Sequence, residues 1–119
     1  MSEKIEKVKP MIISDPEEGR EYTLEYSRKS VVKAESAGFD INKLESSSMT
    51  MIPLLFWGAF LMHHPYMTKD QTDKILFDGL GGLSDEEMAY LGKLYAAPFQ
   101  TLIAGDDEEK NPRKMAVKF

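Results

Sequence analysis

Four sets of residues have the types and spacing to attract a chemical reading. His63 and His64 are the only histidines in a chain without cysteine. Helical metal ligands sit three or four residues apart so that both face one point, whereas adjacent residues diverge by about 100°. The two histidines therefore read as caps on the C-terminal end of an apolar helix, whose dipole favours positive charge there. Gly79-Leu80-Gly81-Gly82 offers backbone amides of the kind that cradle phosphate. However, Ser84-Asp85-Glu86-Glu87 follows in place of a Gly-Lys-Ser/Thr ending, and three carboxylates would repel the anion. The other carboxylates fall on polar faces (Glu21, Glu25), in helix first turns or in the C-terminal tail. None lies within an apolar stretch that would raise its pKa for acid catalysis. No catalytic residue, metal site or cofactor is expected, and the chain reads as non-enzymatic.

The fourth set is apolar. Residues 49–67 hold Met49, Met51, Met62 and Met67 together with Phe56, Trp57, Phe60 and Tyr66. On a helix, Ile52, Leu55, Phe56, Ala59 and Met62 form one stripe, and Leu54, Trp57 and Leu61 form another. Residues 51–62 are apolar except for Pro53 and Gly58, so no polar stripe remains and contacts are expected on all sides. Two readings stay open. The segment is the central core helix, or part of it forms an adaptable apolar surface for a partner. On the second reading the candidate partner-binding residues are Met51, Leu55, Phe56, Trp57, Phe60 and Met62.

The elements that position these groups follow from patterning. Met11, Ile12 and Ile13 suit a strand, and Asp15-Pro16-Glu17-Glu18-Gly19 is turn chemistry. Tyr22, Leu24 and Tyr26 alternate with Glu21, Thr23 and Glu25, giving one buried and one wet face of a β-hairpin. Ser27 is a candidate N-cap for a helix over 28–37, stopped by Gly38. Phe39 and Ile41 are apolar anchors, with Asp40 capping a short turn over 41–45. The apolar helix is predicted to start near Thr50, with Pro53 in its first turn where the missing N–H costs little. Thr68 caps a helix over 69–78, ended by the glycines. Ser84 and Glu87 form a capping box for a helix whose Met88, Leu91, Tyr95, Phe99 and Leu102 share one face. Pro98 should kink or divide that helix near Ala97, and Gly105 should end it. The fold class is α+β: an N-terminal β-hairpin packed on a bundle of about four helices. One domain over 1–105 is expected, with 1–8 flexible and 106–119 a charged, disordered tail.

Composition bounds the partners. A chain of 119 residues can bury a real core without staples. Fifteen basic against twenty acidic residues give a net charge of −5. The basic clusters lie beside their own counter-charges, which argues against nucleic-acid binding. Residues 1–10 carry no signal-peptide core, and the twelve-residue apolar run is well short of the roughly 20 residues of a membrane span. A cytoplasmic protein without membrane contact is expected.

Glu21-Tyr-Thr-Leu-Glu-Tyr26 followed by Ser-Arg-Lys, then Gly38-Phe-Asp-Ile-Asn42 and Met51-Ile-Pro-Leu-Leu-Phe-Trp-Gly-Ala-Phe60, resemble the small tail assembly chaperones of siphophages and prophages of Gram-positive bacteria. The resemblance covers residues 22–102 and contains no catalytic signature. It implies a protein of the bacterial host cytoplasm that binds and solubilises the tape measure protein until the tail tube polymerises, and that is absent from the virion. Self-association in many copies is expected, and a frameshifted, extended form is permitted by codons for Glu109-Lys110-Asn111. The alternative is another phage structural or connector protein, or a general protein-interaction module.

Overall fold

A computed structural model describes residues 8–101 and 114–119 of the chain. The expectations for residues 1–7, Leu102, the Gly105 stop and 106–113 lie outside the described residues. Strands β1 (Met11–Asp15) and β2 (Arg20–Leu24) pair antiparallel, with Ile13 opposite Tyr22. Helices α1 (Arg28–Ser36), α2 (Ser48–Phe60), α3 (Lys69–Lys74) and α4 (Asp85–Ala96) follow. The architecture is α+β, with a two-stranded hairpin laid on helices.

The local signals act as expected at most boundaries. Ser27 caps α1 through a capping box with Ser30, and Gly38 at φ +112° turns the chain out of it. Thr68 caps α3 and Ser84 caps α4, each by the same reciprocal arrangement with the residue three positions on. The long helix ends at Ala96 and passes into a 3₁₀ turn, Ala97–Thr101, where Pro98 lacks the donor an α-helix needs.

Three expectations about the elements require correction, and a fourth concerns the histidines. α2 begins at Ser48, not near Thr50, so Pro53 lies one turn deeper than the first turn. Its ring is buried, and that packing accompanies the loss of the N–H that would reach the Met49 carbonyl. Ile41 is not an anchor. The turn after Asp40 closes within Ile41–Lys43 and leaves Ile41 on the surface, while Phe39 alone is buried, its ring 5.0 Å from that of Tyr95. The segment expected as one helix over 69–78 is α3 followed by a π-helical turn, Ile75–Gly79.

The core gathers around α2. Leu55, Phe56, Ala59 and Phe60 are fully buried and meet Leu24 and Tyr26 from the hairpin side, Ala34 from α1, and Leu91 and Tyr95 from α4. The hairpin is held by the far end of this helix. The Glu25 amide donates to the Ala59 carbonyl at 2.9 Å, and the Tyr26 hydroxyl donates to the Leu55 carbonyl at 2.7 Å. Burial pushes the Tyr26 pKa up, which keeps this hydroxyl a donor.

The two histidines complete that seam, and their side chains do not cap α2 as expected. His64 Nε2 accepts the Thr23 amide at 3.0 Å, while His63 Nε2 lies 2.8 Å from Glu25 Oε1. An accepting Nε2 places the proton of neutral His64 on Nδ1. Burial, and secondarily the neighbouring His63, hold the His64 pKa below its ordinary 6.5. The unfolded chain therefore takes up this proton first. The His64 contribution to stability is fully present above pH 6.5 and is lost as pH falls below that value. Urea melts at pH 7.5 and about 5.5 should show a larger loss in the wild type than in His64→Gln. Equal losses would mean that His64 has no part in the pH dependence.

Candidate partner-binding groove

The six apolar residues singled out on α2 divide into two groups. Met51, Leu55, Phe56 and Phe60 are buried in the core and offer no surface. Trp57 is half-buried, its indole N–H donating to the Met67 carbonyl at 3.1 Å, and Met62 is 44% exposed. An amphipathic count could not make this separation, because every face of the helix is apolar and only the neighbours decide which is covered.

The open apolar surface lies instead at the N-terminal end of the same helix. Ser48, Met49, Ile52 and Pro53 form one wall of a groove of about 290 Å³. Leu76 and Phe77 of the π turn, with Leu83 and Met88 at the start of α4, form the other. Leu76 is buried and floors it, Phe77 is half-exposed, and Met49 stands 84% exposed at the rim. Two features of the chain create this shape. The π turn adds a residue to the helical circuit, so that Leu76 turns inward while Phe77 remains outside. Gly81 and Gly82, both at positive φ, then reverse the chain and return Leu83 to the groove. A Cβ at either glycine meets no neighbour, so backbone conformation, not space, is what requires glycine there.

Sequence reasoning missed Met49, Ile52 and Phe77 as surface residues of one groove. The clustering of methionines was the available signal, and it included Met49, but the candidate residues began at Met51 and followed the helix to Met62. The helix start that follows the glycines is committed elsewhere as well. The Ser84 amide donates to Glu87 Oε1 at 2.8 Å, and Ser84 Oγ accepts the Glu87 amide at 3.1 Å. Two amides that an anion would use are thereby occupied, and three carboxylates surround them.

Polar chemistry is sparse around the groove. Among the described residues Asp85 is the only ionisable group lining it, so the surface they form can bind apolar side chains but presents no converging acid and base. Among the described residues no group of three histidine, aspartate or glutamate side chains comes together to hold a metal ion. No described helix is long and apolar enough to cross a membrane. Over residues 1–119 the chain matches the family described as a domain of unknown function, DUF5055. No curated protein and no solved structure matches it.

Proposed function

This chain belongs to the DUF5055 family, and we propose that it is a non-enzymatic chaperone of phage tail assembly that binds the tape measure protein in the bacterial host cytoplasm. The observation that carries this reading is the groove between α2 and α4, apolar along both walls and rimmed by exposed Met49 and Phe77. A tape measure protein is a very long helical chain whose apolar stripes aggregate when bare. A helix presenting residues at i, i+3 and i+4 lays such a stripe into a groove of this kind, and methionine side chains adapt to varied shapes along it. The net charge of −5 keeps the covered complex soluble.

Co-expression of the full chain with the tape measure protein of the same phage should raise the soluble fraction of that protein severalfold. The double variant Met49→Glu/Phe77→Glu should abolish the gain. Met49 is largely and Phe77 half exposed, so the variant's own stability should change by only about 1 kcal/mol per site. A tape measure protein equally insoluble with and without the wild-type chain would defeat the proposal. Unchanged solubilisation by the double variant would remove the groove from it.

A further inference from the structure

A second surface is open for a different reason: one edge of the hairpin has its main-chain groups unpaired. The β2 edge is covered over its C-terminal half, because the outward-facing amides of Thr23 and Glu25 donate to His64 Nε2 and the Ala59 carbonyl. In an antiparallel pair, residues opposite each other share the same hydrogen-bonding sense. Ile12 faces Thr23 and Ser14 faces Glu21, so the main-chain groups of Ile12 and Ser14 point outward along the other edge. Nothing among the described residues pairs with them. Pro10 and Pro16, at the outward-facing positions on either side, have no N–H to offer. The open stretch is therefore short and suits a guest strand of only a few residues.

Beside this edge lies a cavity of about 460 Å³. Ile13, Ile75 and Leu80 supply its apolar lining, and Asp15, Glu17 and Asp78 its charge, with no basic residue among the lining groups. The chain contains a segment of complementary pattern. In residues 114–119, Lys-Met-Ala-Val-Lys-Phe, the apolar Met115, Val117 and Phe119 alternate with Lys114, Ala116 and Lys118. Extended, this segment has one apolar face and one basic face. Met115 is 85% exposed, Val117 62%, and Phe119 fully, so none of the three is packed against its own chain.

We propose that residues 114–119 of one copy add as a short third strand to the β1 edge of a second copy. Two features of the pair match independently: unpaired main-chain groups with an extended segment, and the apolar lining with an alternating apolar row. Strand addition of this type takes its affinity from main-chain hydrogen bonds and its selectivity from alternate side chains. Because the donor segment and the acceptor edge are different surfaces, the contact is head-to-tail. It repeats from copy to copy until a ring closes or a filament grows. The inference stands apart from the groove and from the tape measure reading.

The test uses the full chain in two forms. Ser14→Pro removes an outward N–H that the ladder with β2 does not use, and Val117→Asp/Phe119→Asp spoils the donor segment. In sedimentation velocity the wild type should grow in mean mass with concentration, while each variant alone should stay monomeric. Mixed in equal amounts, the two variants should form a one-to-one complex, since one keeps its tail and the other its edge. Hydrogen exchange covers the case in which Ser14→Pro unfolds. The Ile12 and Ser14 amides should slow several-fold at high concentration in the wild type and not in the tail variant. A monomeric wild type would overturn the proposal, including one whose edge amides are slowed by its own tail folding back. So would a tail variant that associates as the wild type does.

Discussion

Phe60→Ala is expected to cost about 3–5 kcal/mol, the range for truncating a fully buried aromatic ring. The ring is fully buried at the point where α2 meets the hairpin. Its centroid lies 5.1 Å from that of Phe56, 5.6 Å from that of Tyr22 and 6.1 Å from the His64 imidazole. Removing it opens a cavity that three other rings line, and ring-to-ring contacts of this tilted kind add to the area term. A domain of this size has only about 5–15 kcal/mol in hand, so the variant should sit near the folding threshold at 37 °C. Urea denaturation followed by tryptophan fluorescence measures the effect, with Trp57 as the only indole reporter. Phe77→Ala is the matched control, because its ring is half-exposed and should cost less than about 1 kcal/mol. A Phe60→Ala midpoint indistinguishable from that of Phe77→Ala would show that the hairpin seam is not where the fold's stability is concentrated.

Gly58→Ala should be nearly as damaging, although alanine is the better helix former by about 1 kcal/mol. A Cβ at position 58 collides with the Tyr26 hydroxyl and approaches the Ala34 Cβ to 3.0 Å. The hydroxyl cannot move aside freely, because it is buried and bonded to the Leu55 carbonyl. Relief requires either breaking that hydrogen bond or separating α1 from α2. Overpacking of this kind costs about 1–3 kcal/mol, and a disturbed buried hydrogen bond adds about 1 more. A net loss of about 2–3 kcal/mol should lower the melting temperature by roughly 10 °C in a chain of this length. Tyr26→Phe removes the colliding oxygen, so the double variant Tyr26→Phe/Gly58→Ala should be more stable than the sum of the two single changes predicts. Strict additivity would show that the Tyr26 hydroxyl is not the obstacle.

These two residues mark the limit of sequence reading. Phe60 is legible as a core residue because it lies in an apolar run with no polar stripe. The role of Gly58 is not legible, because its neighbour Tyr26 is distant in the chain and a glycine in an apolar helix carries no periodic signal. The histidines show the same limit. Their place after an apolar helix is written in the sequence, but their partners on β2 are supplied by the packing of the hairpin against that helix. The candidate residues lie along the helix that forms one wall of the groove, but they do not include the groove's own Met49 and Ile52. Leu55 and Phe56 are covered by the hairpin, α1 and α4, whereas Met49 and Ile52 face a π turn that no propensity predicts.

By itself the sequence determined what depends on near neighbours. It placed the hairpin and its turn, the caps at Ser27, Thr68 and Ser84, the break at Pro98, and the identity of the central apolar helix. Each of these rests on hydrogen bonds or side-chain periodicity within a few residues. Tertiary structure alone decided which face of that helix is covered, where Pro53 falls within it, why position 58 admits no side chain, and which edge of the hairpin remains open. Those outcomes depend on the order in which distant elements pack. An apolar pattern states how much surface must be hidden, and the neighbours that arrive decide which part of it is left to face a partner.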